Sequence, residues 1–559
     1  MMRHDETEIL ERWKEENQGY LERLKKTGKK IKGVGVLRML FGRTTIVVAL
    51  ILLQAYVLYL MLVAAIDVSQ YIHMGLTVLS FCIFVSIVNS DMNSSFKIAW
   101  VTPILVFPVF GGLFYLYCEL DLGKRRLRKK TLKIEDIISS HLIIDEKQQK
   151  KFREEAPDES GMLEYFRCSG NAPAFPCEYA QFFPSGEEKI PRLIEMLKKA
   201  RRFIFLEYFI IFEGSVWDDV LEILKQKAAE GVEVRVLYDG MSSLTRLPIG
   251  YFKKLEKAGI HARAFAPIRP ILSTYQNNRD HRKIVVVDGK VAFSGGINLA
   301  DEYANRIVRF GYWKDTGVMV AGESVTAFTY MFLKMWTIAG KEPELSKEEM
   351  KRYAYCHENG LTESERESLS KLQCAKKGGF VVPFGDNPYD DYLVGRTVYM
   401  DILNRAQHYV HIMTPYLILD DEMVTALIYA AQRGVEVSII MPHIPDKRLI
   451  YAVARTYYKN LIRHGVKIYE FVPGFVHAKE FISDGVRATC GTINLDYRSF
   501  YLHFEDAVYF SRTGIVDDME ADYQKTLEAC EEITLTRAKQ FPKLFLLGGM
   551  FLRIIAPLL

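Results

Sequence analysis

Apolar and polar positions follow two regimes along the chain. Three nearly uninterrupted apolar stretches come first, at about Thr45–Ile66, Tyr71–Val88 and Ala99–Tyr117. Each is long enough, or nearly so, to cross a hydrocarbon core of about 30 Å. After a charged, weakly periodic connector from Leu132 to Cys177, the pattern changes to short apolar strands alternating with amphipathic helices. Strand Phe203–Ile210, helix Trp217–Glu230 and strand Val232–Tyr238 are followed, in the same order, by strand Tyr409–Tyr416, helix Met423–Arg433 and strand Val435–Met441. Gly-Val-Glu-Val stands verbatim at Gly231 and Gly434, each time closing a helix and opening a strand. Two copies of such a unit describe a duplicated α/β domain rather than a solenoid.

This pattern divides the chain into a basic N-terminal tail (1–44), a transmembrane helical region (45–118, with stretches 45–66, 71–88 and 99–117) and a connector (119–176). A first lobe (177–340), a linker (341–377), a second lobe (378–530) and a C-terminal apolar segment (531–559) follow. Each lobe is expected to be a mixed sheet flanked by helices. The linker is dense in Glu, Lys and Ser and is expected to be solvated. Lys543 to Leu559 is almost wholly apolar but short, and reads as an interfacial segment or as packing against the body.

Charge changes the picture mainly through its placement. The net charge of the 559 residues is only +4, which disfavours a dedicated nucleic-acid binder. The basic residues gather before the first apolar stretch, from Arg23 to Arg43, and after the third, from Lys124 to Lys130. Positive flanks prefer the cytoplasm, so two such flanks require an even number of crossings. The third stretch, broken by Pro103, Pro108 and Gly111-Gly112, is the weakest helix and the candidate for a re-entrant or interfacial segment. The expectation is a multi-pass protein of the cell membrane with a cytoplasmic body and the N-terminus on an undecided side. The same charges would also meet anionic headgroups. A cleaved signal peptide is disfavoured because more membrane segments follow the first. Eight cysteines without a Cys-x-x-Cys pair indicate neither a zinc site nor a disulfide framework.

The chemistry lies in a stretch that occurs twice in register. Asn278-Arg-Asp-His281-Arg-Lys283 leads to Asp288 and ends in Gly295-Gly-Ile-Asn298. Val476-His477-Ala-Lys479 leads to Asp484 and ends in Gly491-Thr-Ile-Asn494. His and Lys two apart on an extended segment share a face. Two such copies meeting across a lobe interface would place two imidazoles and two ammoniums in one pocket, which suits a phosphate diester. One imidazole can attack phosphorus, the other can protonate the leaving alcohol, and Lys283, Lys479, Asn298 and Asn494 can hold the charged oxygens. No metal or other cofactor is required. Asp315 and Glu505 each lie downstream of the Gly-x-Asn turn, where a carboxylate could fix a histidine tautomer. Asp288 and Asp484 are counted with the catalytic residues of the motif, where they either orient the Lys and its strand or cap the Asp-Gly turn. His411, His464 and His503 read as core or surface histidines, His503 alone lying near enough to the second motif to touch the pocket. Cys490 reads as a small buried residue.

The paired His-x-Lys motifs resemble those of the phospholipase D superfamily, and the likeness extends to its bacterial cardiolipin synthase branch. It is carried by Cys118-Glu-Leu-Asp-Leu-Gly-Lys-Arg-Arg126, Ala99-Trp, Pro108-Val-Phe-Gly, the Asn278–Lys283 block, Thr414-Pro-Tyr, Asn494-Leu-Asp-Tyr-Arg-Ser-Phe500 and the terminal Ala556-Pro-Leu-Leu559. It runs from about residue 70 to the end. The resemblance implies duplicated phospholipase D-like lobes and transfer of a phosphatidyl group between two phosphatidylglycerol molecules, giving cardiolipin and glycerol through a phosphatidyl-histidine. It implies His281 as nucleophile, His477 as general acid and then base, and phosphatidylglycerol and anionic membrane lipids as partners, with no nucleic acid. The near symmetry of the copies leaves the choice of attacking histidine open. A hydrolase passing the same group to water, a nucleic-acid diesterase and an inactive membrane scaffold are the rivals. The stretch Thr45–Ile66 and the long basic N-terminus depart from the family pattern.

Overall fold

The computed structural model describes residues 2–16, 70–119, 122–140, 145–170, 173–248, 250–267, 274–340, 345–355, 360–371 and 378–558, with isolated positions between 52 and 60. The first apolar stretch and the Arg23–Arg43 run therefore lie essentially outside the described residues.

The strands in chain order are β1 Phe175–Pro176, β2 Tyr179–Phe183, β3 Phe203–Tyr208, β4 Glu233–Asp239, β5 His261–Phe265, β6 Lys283–Val287, β7 Val291–Gly295, β8 Tyr312–Lys314 and β9 Gly317–Ala321. They continue as β10 Phe380–Asp386, β11 Tyr409–Met413, β12 Glu436–Pro442, β13 Lys467–Phe471, β14 Gly474–Val476, β15 Glu480–Ser483, β16 Arg487–Gly491, β17 Glu505–Ser511 and β18 Cys530–Glu532. One sheet has the order β2-β9-β7-β6-β3-β4-β5. The other contains β10-β17-β16-β15-β11-β12-β13, extended by β1 and β18 at its edges. The two seven-strand orders map onto each other strand for strand, so the duplication read in the sequence is a duplication of topology. Every residue of β3 and of β6 is buried, as strands covered on both faces require. Gly231 and Gly434, at φ 87° and 90°, end the helices Ser215–Ala229 and Asp421–Gln432 in the left-handed conformation that glycine adopts without steric cost.

In the lobes, three of the cores among the described residues stack in layers. Helices Gly186–Lys199 and Ser215–Ala229 cover the outer face of the first sheet. Helices Val394–Arg405, Asp421–Gln432 and Arg448–Arg463 cover that of the second. Between the sheets lies a shared core in which Phe205, Ile284 and Val320 meet Ile482, Ala488 and Val508 around the helices Val325–Ala339 and Gly514–Leu527. The lobes are thus joined by a hydrophobic interior, and a site at their seam is held from both sides.

Three segments sharpen the expectation. The third apolar stretch is two helices, Ser94–Val106 and Pro108–Glu119, separated at Phe107 and packed on each other and on the helix Gln70–Val88. Proline cannot supply an N–H to a continuing helix, and Pro108 opens the second one instead. Among the described residues no helix is long and apolar enough to cross a membrane. The linker is not simply solvated: its helices Lys347–Tyr353 and Glu363–Leu369 bury Met350, Tyr353 and Leu369, and Arg235 holds Glu349 at 2.9 Å. The connector docks on the second lobe through Phe152, Met162 and Phe166.

The Lys124–Lys130 run lies on the helix Leu122–Ser139, where Lys130 donates to the Gly340 carbonyl at 2.8 Å and Arg128 to that of Tyr389 at 3.1 Å; Arg125, Arg126 and Lys129 stay exposed. The C-terminal helix Lys543–Ile555 packs on Arg448–Arg463, with Gly549 against the Ala452 backbone, while Leu544, Leu547, Met550 and Phe551 remain exposed.

Candidate active site

Each motif enters its strand at the seam of the lobes, and each histidine is held by the other lobe. His281 precedes β6, and its backbone N–H donates to the Phe504 carbonyl at 2.9 Å. His477 follows β14, which pairs in parallel with β8 of the first lobe, and its N–H donates to Lys314 O at 2.6 Å. The side chains repeat the exchange. His281 Nδ1 lies 2.8 Å from Glu505 Oε2, and His477 Nδ1 lies 2.7 Å from Asp315 Oδ2. A carboxylate at Nδ1 selects the tautomer protonated there and leaves Nε2 as the free lone pair. Asp315 and Glu505 thus occupy the tautomer-fixing place expected of them, crossed between lobes.

The two carboxylates are themselves fixed. Thr492 Oγ1 donates to Glu505 Oε2. At the equivalent place in the first lobe stands Gly296, where any side chain would collide with the Asp315 carboxylate. Upstream of His281, Asp239 accepts from Arg279 Nη1 at 3.3 Å and from the Asp280 N–H at 3.0 Å, so the entry to the motif is pinned to the end of β4. Arg282 reaches across the seam to the Glu505 carbonyl at 3.0 Å, and Asp506 accepts the Lys283 N–H at 3.2 Å.

Lys283 and Lys479 are buried and point their ammoniums back to the carbonyls of His281 and His477. Lys479 Nζ also stands 2.9 Å from His477 Nδ1. Burial pushes the Lys283 ammonium down to about 8 and that of Lys479 to about 7. Burial and, next, the adjacent lysines hold His281 well below the usual imidazole range and bring His477 to about 4, so both rings are neutral near neutral pH. Asn298 and Asn494 are buried, and Asn298 Oδ1 accepts from Ile210 N at 3.0 Å.

Asp288 and Asp484 are placed elsewhere. They sit in the Asp-Gly turns at the far ends of β6 and β15, at φ 54° and 56°. Asp288 accepts the N–H groups of Arg201, Arg202 and Phe203, and Asp484 those of Gln407, His408 and Tyr409, all between 2.7 and 3.0 Å. Each carboxylate ties its hairpin to the start of the neighbouring strand.

Two buried groups, Lys189 and Glu480, carry no reading from the sequence, and His503 carries only its nearness to the pocket. Lys189 is fully buried, donates to Ser294 O at 2.9 Å and is pushed down to about 8 by burial. Glu480 is buried and pushed up to about 8 by burial. His503 packs against His281, with ring centroids 5.4 Å apart. Together His281, His503 and Glu505 bring two ring nitrogens and a carboxylate oxygen within 4.8 Å of one another, a donor set that a divalent ion could use. His411 is a core histidine stacked on Tyr523 and bound to Glu520 at 2.9 Å, and Cys490 is buried.

Comparison with known proteins closes the identification. Residues 193–336 and 399–527 match the family described as cardiolipin synthase, PLD-like domain, and residues 78–117 match the phospholipase D-nuclease N-terminal family. A cardiolipin synthase of Alkalihalophilus pseudofirmus is 33% identical over 468 residues, covering 83% of this chain and 88% of that protein. The chain belongs to the cardiolipin synthase family. Another member, from a Geobacillus species, is 32% identical over 500 residues, covering 87% of this chain and 94% of its own. An uncharacterized protein of Streptococcus mutans serotype c is 47% identical over 473 residues, 85% of this chain and 98% of that one. A crystal structure of phosphatidylserine synthase from Haemophilus influenzae shares the fold, at a TM-score of 0.51 and 15% identity over 69% of this chain and 96% of that chain. Membership in the cardiolipin synthase family makes the protein a phosphatidyltransferase, as the paired motifs imply.

Proposed function

We propose that the protein transfers a phosphatidyl group from one phosphatidylglycerol to another, giving cardiolipin and glycerol, through a phosphatidyl-histidine on His281. The observation that carries this reading is the pair of neutral imidazoles, each bound at Nδ1 by the opposite lobe's carboxylate, with Nε2 free of protein partners among the described residues. Nε2 of His281 attacks phosphorus, and the bond to the departing glycerol oxygen breaks as His477 delivers a proton to it. Glycerol leaves. The hydroxyl of a second phosphatidylglycerol then gives its proton to His477 Nε2 and attacks phosphorus, and the phosphorus–nitrogen bond breaks. Arrival of a phosphodiester anion offsets the burial and lysine charge that hold His477 neutral in the free protein, which supports its protonation for the first step. Lys283, Lys479, Asn298 and Asn494 hold the phosphoryl oxygens.

The substrates reach the site from a membrane. The exposed apolar face of Lys543–Ile555 and the exposed Ile98, Leu105 and Phe107 support apposition to a bilayer. The helix Met2–Glu16 docks on the body, with Glu6 paired to Arg537, Arg12 Nη2 3.8 Å from Glu528 and Trp13 edge-on to Tyr312 at 5.1 Å. This docking supports a reading in which the N-terminus and the body share one side, the cytoplasmic one.

Mass spectrometry of products from phosphatidylglycerol liposomes, with His281→Ala and His477→Ala alongside, tests the reaction. Cardiolipin and glycerol, lost in both variants, are expected. Phosphatidic acid in their place would make the protein a hydrolase.

A further inference from the structure

Around the two imidazoles lies a cluster of polar atoms that are buried without a hydrogen bond: Trp313 Nε1, Asn494 Oδ1 and Nε2 of His503. Buried polar groups are ordinarily paired, so several orphans at one pocket point to a ligand that the protein itself does not supply. Asn494 already belongs to the phosphate-holding set. Trp313 and His503 do not.

These two residues are equivalents under the duplication. Trp313 stands two residues before Asp315 and His503 two before Glu505, the carboxylates that hold the opposite imidazoles. Each ring also packs beside the imidazole that its own lobe's carboxylate holds. Trp313 lies against His477 and His503 against His281, with centroids 5.4 Å apart in both cases. His503 Nδ1 approaches Glu505 Oε1 only to 3.5 Å, at the outer limit for a hydrogen bond. Trp313 is 5% exposed and His503 7%, so water is not the ready partner of either. The indole nitrogen can only donate, and a neutral imidazole always carries one N–H. The acceptor that suits two such donors, beside two lysines, is an anionic oxygen.

We propose that Trp313 and His503 are a matched pair of headgroup ligands, each donating its buried ring N–H to an oxygen of the phosphodiester held between His281 and His477. This rests on a phosphodiester occupying the pocket, but not on which lipid carries it. His503 differs from Trp313 in having a second ring nitrogen, which faces Glu505 at 3.5 Å, so the two halves of the duplicated pocket are chemically unequal.

The test uses tungstate, a tetrahedral oxyanion, titrated calorimetrically into the full-length protein in detergent. Trp313→Phe and His503→Phe keep a ring in place and remove the N–H, and His503→Gln restores a donor. Hydrogen bonds to charged groups are the strong ones, so each Phe variant should weaken tungstate about tenfold, and His503→Gln should recover most of the loss. Unfolding midpoints close to the parent's would show that packing is retained; should one Phe variant fail to fold, the other carries the test alone. Absence of tungstate binding to the parent, or dissociation constants within about twofold of it in the folded Phe variants, would overturn the proposal. Weakened tungstate binding in a protein that makes no cardiolipin would leave this assignment standing and remove the synthase reading.

Discussion

Glu505 and His281 belong to different lobes and stand 224 positions apart in the chain, yet Glu505 Oε2 meets His281 Nδ1 at 2.8 Å. Neither lobe therefore completes its own histidine. Glu505→Gln keeps the shape but can offer its amide N–H to Nδ1 and so stabilise the wrong tautomer. Turnover should fall about 10²- to 10⁴-fold with the fold intact, as removal of an orienting carboxylate does in histidine-dependent catalysis. Steady-state turnover of Glu505→Gln and Asp315→Asn, with unfolding midpoints as controls, decides this; near-parental rates would detach the carboxylates from the chemistry.

The turn aspartates should behave differently. Asp288→Asn suits the positive φ of 54° but loses charged acceptance of three backbone N–H groups. A loss of about 1–3 kcal/mol in unfolding free energy is expected, with turnover per folded molecule nearly unchanged. A large drop in turnover at parental stability would return Asp288 to the catalytic set.

Burial of neutral His477 has a signature in pH. Its folded value of about 4 lies below the ordinary 6.5, so between these limits the unfolded chain binds more protons and stability falls as pH falls. His477→Gln removes that contribution. Its unfolding free energy should decline less steeply over this window, by up to about 1.4 kcal/mol per pH unit. Parallel curves for parent and variant would mean that the ring protonates freely in the fold.

Docking of the first helix on the body predicts a shared side of the membrane. In a background with Cys82, Cys168, Cys356, Cys374 and Cys530 replaced by Ser, single cysteines at Glu8 and at the exposed Glu222 should react with an impermeant thiol reagent only from the same face. Labelling from opposite faces would separate the helix from the body and make the crossings odd in number.

Gly549 seats the C-terminal helix directly on the Ala452 backbone. Gly549→Val should dislodge that helix and weaken retention of the protein on vesicles, measured by flotation. Unaltered flotation and stability would show that the contact is dispensable.

Much of this was legible beforehand because local rules suffice for it. The helix and strand order of both lobes follows from apolar periodicity, and the observed elements begin and end within about three residues of the sequence assignments. The His-x-Lys pairs and the Gly-x-Asn turns lie within short, regular segments, where sequence spacing is spatial spacing. The break in the third apolar stretch was signalled by its prolines.

What failed to show was whatever depends on a partner far along the chain. The linker looked solvated by composition, yet Tyr353 is buried against Phe203 and Phe205 of β3, aromatic positions that no local pattern connects to it. His503 looked solitary; its equivalence to Trp313, each two residues before a carboxylate, was the available signal.

The sequence by itself determined the duplicated unit, the reactive residue types and the family, because each is written in a contiguous stretch or in a repeat of one. Only the tertiary structure decided that Glu505 serves His281 and Asp315 serves His477, since that exchange exists only where two lobes bury a common core and bring their strand ends to one seam. The same packing strips water from both imidazoles and both lysines, and desolvation, which no spacing encodes, is what sets their protonation.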